Sequence, residues 1–561
     1  MLFPSSDHDK WTCVWPQRSP VCERGASGWS YAIDFQREWL GVCSAHASMK
    51  QIRRKTFADA TVSQGGIRVE DGLVNRKRRM CRPARLAGCF FAAALPLAAQ
   101  GIPQSTAPTP VSTSAIGDTA GLAREANVWL AQLIQINTTN PPGNEQAAAK
   151  YVAGILAREG ITPEILEVMP GRSAVVARLR SSAISDPARA LLLVAHMDVV
   201  GVERSRWSVD PFGAVIKDGY IYGRGALDDK SMLAANLATI IGLKRANARL
   251  NRDVIFLATD DEEGGGEASI KTLIAKNWDK FAAGFAINEG GEVVMKGGKV
   301  QYVAVQASEK VSVNVAVVAK GTVGHASAPT KDNAVVHLAA AVEKIGNYSA
   351  PVHFTTIVRR YFEGLAAISD DEIAKWMRSM ETSDRGEHAQ RVISDANPQW
   401  GAMMRDSIAP TMLNAGVRPN VIPGEARAIL NVRLLPGDTI DVLLGELRKL
   451  VNDPQVRLEV QPNGGLAAPP SSLESDFYAA ISKVAEQEFP GAPVLPYQST
   501  WATDSAQLRL HNVQAYGLWP FPVTDEDLKR MHGDDERISI ASFNKGVEVL
   551  ARIVSEFAVA K

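Results

Sequence analysis

Five side chains of metal-binding type punctuate this 561-residue chain: His196, Asp228, Glu263, Glu289 and His532. Each stands where a hydrophobic, strand-like run gives way to a Gly-rich or acidic turn. Imidazole and carboxylate together suit a pair of divalent ions, zinc first, with one carboxylate shared between them. Glu262 adjoins one of the five and could activate a metal-bound water. The chemistry this implies is hydrolysis.

The elements that must position these residues are legible around them. Ala190–Val194 is a continuous apolar run, the mark of a strand buried on both faces, and His196 and Asp198 follow it with period-two spacing. His196 would bind metal and Asp198 would accept its other ring N–H, although a His-x-Asp alone also fits a core or capping pair. Gly223–Lys230 reads GRGALDDK, two adjacent aspartates before a helix; cation binding and plain N-capping by Asp228 or Asp229 both suit it. Asp260–Glu263 sets four carboxylates directly after the apolar run Val254–Ala258, and Glu289 follows Phe285–Ile287 in the same way. Helices are expected at Lys230–Arg245 and Ala268–Lys276. Strands alternating with helices imply a three-layer α/β domain with its site beyond the carboxyl ends of the strands.

After about Val305 the pattern changes. Val311–Val318 alternates like a half-buried strand, Ala334–Ile345 reads as helix, Arg427–Leu434 as strand, Ile440–Val451 as helix and Val456–Gln461 as strand. This mix predicts an antiparallel α+β, ferredoxin-like domain inserted over 308–465, with a helical insertion near 361–404. The α/β domain then spans 118–307 and 466–561.

Length requires two or more domains. With 61 basic and 61 acidic residues the net charge is zero and no basic face stands out in the body, which argues against nucleic acid as a partner. All five cysteines lie at or before Cys89, so thiolate ligands and nucleophiles are unavailable to the body. From Met80, a basic start (Arg82, Arg85), the apolar run Leu86–Ala99 and a small-residue cleavage point read as a signal peptide over 80–100, which predicts a secreted or periplasmic protein. The run is too short for a typical membrane span of roughly 20 residues, so the mature chain is expected to have none. Residues 101–117 are a linker by composition. Residues 1–79 read as a non-native or disordered extension, and a mature N-terminus before Met80 would contradict this.

In order, HMD at 196–198, GRGALDDK at 223–230, DEEGG at 261–265, NEGG at 288–291 and HGDDERI at 532–538 resemble the di-zinc metallopeptidase family of aminoacylase, carboxypeptidase G, acetylornithine deacetylase and succinyl-diaminopimelate desuccinylase. The element Trp207–Gly213 with Asp218–Gly225 is more like the carboxypeptidase S and N-acyl-amino-acid hydrolase branch. The resemblance implies that Asp228 bridges two Zn2+ (Co2+ or Mn2+ being alternatives), with His196 and Glu289 at one ion and Glu263 and His532 at the other. It makes Glu262 the general base and implies a cis Asp228–Asp229 peptide. In the inserted lid or dimerisation domain it matches His325 to a carbonyl-polarising histidine, often supplied by a dimer partner, and Asn420 and Arg433 to positions that hold a substrate carboxylate. A guanidinium can grip a carboxylate with two bonds, and an imidazole can stabilise an oxyanion.

Asn288, where relatives often have Asp, and Trp501–Asp504, in place of a more Gly-rich form, depart from the pattern. The expected activity is cleavage of a peptide or N-acyl amide bond beside a free carboxylate, by a carboxypeptidase or an N-acyl-amino-acid amidohydrolase. Alternatives are a dipeptidase or aminopeptidase, or a non-catalytic binding module on the same fold. Substrate would be a small peptide or N-acyl amino acid, and a homodimer is possible.

Overall fold

The strand Leu191–His196 sends alternate side chains into two separate cores. Leu191, Leu193 and Ala195 join one cluster; Leu192 and Val194 join another. Val254–Thr259 beside it does the same, with Phe256 on one side and Ile255 and Leu257 on the other. A strand covered on both faces has no reason to alternate polar and apolar residues, which explains the unbroken apolar runs. Burying each Leu or Val contributes roughly 1.5–3 kcal/mol, so these strands anchor whatever lies at their ends.

The computed structural model describes residues 116–561 except 183–184, 266–269, 370, 463 and 466. The signal peptide, the extension before it and most of the linker lie outside the described residues. No helix among the described residues is long and apolar enough to cross a membrane.

An eight-stranded mixed sheet forms the main body. Its strand order is Pro163–Met169, Arg172–Leu179, Val254–Thr259, Leu191–His196, Phe285–Lys296, Gln514–Val523, Lys299–Glu309 and Val494–Ser499. The four strands from Val254–Thr259 to Gln514–Val523 run parallel. Helices Thr119–Gln135, Lys230–Arg245 and Ile540–Ala558 cover one face, and Ile270–Phe281 covers the other. This is a three-layer α/β body.

A second, four-stranded antiparallel sheet is inserted into it, ordered Ser407–Ala415, Glu425–Leu434, Val311–Lys320 and Val456–Val460. Val311, Val313, Val315 and Val317 point to helices Ala334–Gly346 and Ile440–Val451, giving the α+β arrangement its own core. The strand Lys299–Glu309 belongs to the main sheet, so a single residue, Lys310, separates it from the insert's first strand.

The structure corrects three readings. Phe285–Lys296 is one long strand, so Glu289 sits inside a strand and not at a turn. The helical segment begins at Thr356 and ends at Met403, and its core includes Ala304, Leu495 and Tyr497 of the main sheet. It therefore packs on the body's outer strands, even though its sequence interrupts the insert. Asp229 occupies the N-cap position of Lys230–Arg245, but its side chain makes no capping bond.

Candidate metal centre

His196 closes its strand with the ring 2% exposed. Its Nδ1 lies 3.0 Å from the Asp198 carbonyl oxygen and 3.5 Å from Asp198 Oδ1, while Nε2 lies 3.0 Å from Asp228 Oδ1. From the other side, His532 Nε2 is 3.0 Å from Asp228 Oδ2 and 3.1 Å from Glu263 Oε1. Asp228 thus offers one oxygen to each imidazole. Glu289 Oε1 is 4.0 Å from His196 Nε2. Ligand atoms of His196, Glu262 and Glu289 lie within 4.8 Å of one another, and so do those of His196, Asp228 and Glu263. Residues spread over 337 positions of sequence therefore converge on one space at the carboxyl end of the parallel strands.

Electrostatics shows how crowded this space is. Burial and surrounding acids, Asp504 and Glu263 among them, push the Glu262 carboxyl well above its ordinary range. Burial, then Glu262 and Asp228, do the same to Glu289. Burial alone would raise Asp228, but its two imidazole partners hold it low. Burial would lower His196, yet hydrogen bonds to Asp198 and Asp228 raise it well above 6.5. Carboxylate oxygens and imidazole nitrogens brought within reach of one another form a mixed donor set that fits divalent cations.

Neighbouring residues hold the cluster in place. Asp198 accepts the backbone N–H groups of Glu262 and Glu263 at 3.2 and 3.1 Å, and Asn140 Nδ2 at 2.8 Å. Asn140 also donates to Asp261, which pairs with Arg172 at 2.9 Å. The Asp228–Asp229 peptide is cis, and Asp229 accepts Trp519 Nε1 at 2.8 Å. Glu536 accepts the backbone N–H groups of Leu227 and Asp228. Sequence reasoning missed Asn140, Arg172 and Glu536 as parts of the site. Glu536 nevertheless stood inside the quoted HGDDERI run.

The cluster opens into a cavity of about 1040 Å3 between body and insert. Asp228, Glu262, Glu263, Glu289 and His532 line it from the body and Arg433 from the insert. Asp504 also faces it, pushed up to about 7 by burial. His325 and Asn420 are exposed and are not among its lining residues. They lie together elsewhere on the insert, where the Asn420 carbonyl accepts the N–H of Ala326 at 3.1 Å.

The family model described as peptidase family M20/M25/M40 matches residues 192–556. Human N-fatty-acyl-amino acid synthase/hydrolase PM20D1 is 29% identical over 66% of this chain and 74% of that protein. Human aminoacylase-1 is 28% identical over 76% of this chain and 94% of its own length. Among solved structures, an M20 family metallo-carboxypeptidase, Sso-CP2 from Sulfolobus solfataricus, aligns at a TM-score of 0.60 and 20% identity, covering 77% of this chain and 99% of that one. That likeness is one of fold: a catalytic body with a lid. With the matched model spanning strands, insert and acid cluster alike, the chain belongs to peptidase family M20/M25/M40 and is a hydrolase of that family.

Proposed function

We propose that the protein hydrolyses a peptide or N-acyl amide bond beside a free carboxylate, with two divalent ions, zinc by preference, as cofactor. The observation that carries this reading is Asp228, one oxygen 3.0 Å from each of two imidazoles, in a cavity that also presents Arg433. His196 and Glu289 would hold one ion, Glu263 and His532 the other, with Asp228 between them. Ions bound there supply Lewis acidity, which polarises a carbonyl and acidifies water.

The chain's own residues supply the rest. Asp198 fixes the tautomer and tilt of His196. Glu262 takes the proton of the attacking water and delivers it to the leaving amine; burial first, and then the acids around it, hold its carboxyl above the ordinary range in the ion-free chain. Arg433 grips the substrate carboxylate from the insert and so sets which amide bond reaches Glu262. His325 and Asn420, exposed and outside the cavity of their own chain, support a homodimer in which His325 of one protomer completes the site of the other.

One experiment separates the readings. The zinc-loaded chain is profiled against N-acyl amino acids, peptides with free and amidated carboxyl ends, and free dipeptides. Turnover of the acids and not of the amides is expected. Turnover of free dipeptides alone would point to a dipeptidase or aminopeptidase, and none at all to a binding module. In the same assay Glu262→Ala is expected to keep its metal and lose at least ~100-fold in kcat; full activity would refute the assignment of the base.

A further inference from the structure

The loop that carries His532 is fastened, residue by residue, to the segment between Arg206 and Asp228. Gly533 accepts Arg224 Nη2 at 2.9 Å, Asp534 pairs with Arg206 at 2.9 Å, and Asp535 accepts the Ser208 N–H at 2.8 Å. Glu536 makes the largest contribution. Its Oε2 accepts Arg224 Nη1 at 2.5 Å and the Gly225 N–H at 3.2 Å. Its Oε1 accepts the Leu227 and Asp228 N–H groups at 2.8 and 3.1 Å. The carboxylate is fully buried and all four bonds end on the turn that presents Asp228. Arg224, itself 2% exposed, lies 5.3 Å from the centre of the Trp207 ring.

The two histidines of the cluster are therefore held by different means. His196 ends a core strand. His532 is 52% exposed at its side chain, has a positive φ of 58° and sits on an irregular loop. Backbone pairing of Arg537–Ser539 with Tyr220–Tyr222, and the Gly223 N–H donated to the Glu536 carbonyl, bring the two segments together. Between that pairing and His532, the polar latch four residues downstream ties the loop to the turn of Asp228. Arg206, Trp207 and Ser208, at the start of the Trp207–Gly213 element, form the latch's far side.

We propose that Glu536 is a positioning residue whose pairing with Arg224 holds His532 against Asp228, so that the ion site on the His532 side forms only when this latch is closed. The proposal rests on the reading of Asp228 and His532 as metal ligands. It predicts a one-sided effect: loosening the latch weakens one ion and spares the ion at His196 and Glu289.

Titration of metal-free wild type and Glu536→Gln with Co2+, followed by visible absorption and by competition with a chelator, tests this. The amide keeps the size of the carboxylate but turns a donor toward Arg224 or the turn's N–H groups. Wild type is expected to take two equivalents. In the variant the first should bind as in wild type and the second about 10–100-fold more weakly, with an altered absorption band, a loss typical of removing an outer-shell partner. Circular dichroism at the titration temperature checks folding. Should Glu536→Gln not fold, Arg224→Lys, which leaves the three backbone donors in place, must weaken the second equivalent alone. A merely structural role would weaken both equivalents together, and that result, or an unchanged second equivalent, overturns the proposal. A wild-type chain that takes up no ion overturns the metal-centre reading and this inference with it.

Discussion

At His532, hydrogen bonds to Asp228 and Glu263 raise the imidazole from an ordinary 6.5 to about 10. A raised folded-state value means that the protonated ring stabilises the ion-free fold fully below about pH 6.5. That contribution is lost as pH rises through about 10. The same proton must leave before the nitrogen can ligate, so ion uptake near pH 8 is expected to release it, and affinity should climb with pH toward 10. Calorimetry in two buffers of different ionisation heat measures the release; identical binding heats at pH 8 would contradict it. Residue types and order were enough to single out the six side chains that converge here, because ligand chemistry resides in the residue itself. Glu536 was not legible in the same way. Its role lies in bonds to Leu227 and Asp228, more than 300 positions upstream, and only the fold reveals them.

Among the elements, the central strands could be read because burial on both faces erases polar alternation. Glu289 could not be placed as well. Its strand continues through Gly290 and Gly291, residues that ordinarily end strands, because the adjacent strands approach too closely for side chains there. The Gly291 position has Ala304 and Gly517 carbonyl oxygens 2.3 Å from where a Cβ would lie. Gly517, on the adjacent strand, would bring a Cβ within 2.2 Å of the Glu289 carbonyl oxygen. Gly517→Ala is accordingly expected to cost about 1–3 kcal/mol, read as a lower denaturant midpoint with unchanged slope. A midpoint equal to that of wild type would show that the strands can part without cost. The helices from Thr356 to Met403 were recognisable as helices, but their docking site was not. An apolar stripe states that a helix is covered, not by what.

For the whole molecule, the acid cluster and Arg433 face one cavity, whereas His325 and Asn420 stand outside it. If His325 serves a second protomer, two inactive variants should complement each other. Mixing His325→Ala with Glu262→Ala under conditions that exchange subunits is expected to restore roughly a quarter of wild-type activity, since half the dimers are mixed and each carries one intact site. A mixture as inactive as its components would remove the trans role. Substrate preference was the least legible property at this scale. It depends on the shape of a cavity assembled from both sheets and from loops that no local pattern specifies.

Glu309 and Lys310 sit at the passage from body to insert, consecutive, buried and oppositely charged. Glu309 is neutralised within the body, by Arg509 and by the N–H and hydroxyl of Thr503. Lys310 is held by carbonyls of Ala402 and Arg405 and the hydroxyl of Ser407, where the helical segment hands over to the insert's edge strand. The frontier between the two bodies is thereby indexed to one peptide unit, like a key cut for a single lock position. Inserting or removing a residue between them would shift one charge relative to its partners and leave it buried unpaired. A change of length at this joint therefore carries a cost that the same change in an exposed loop does not.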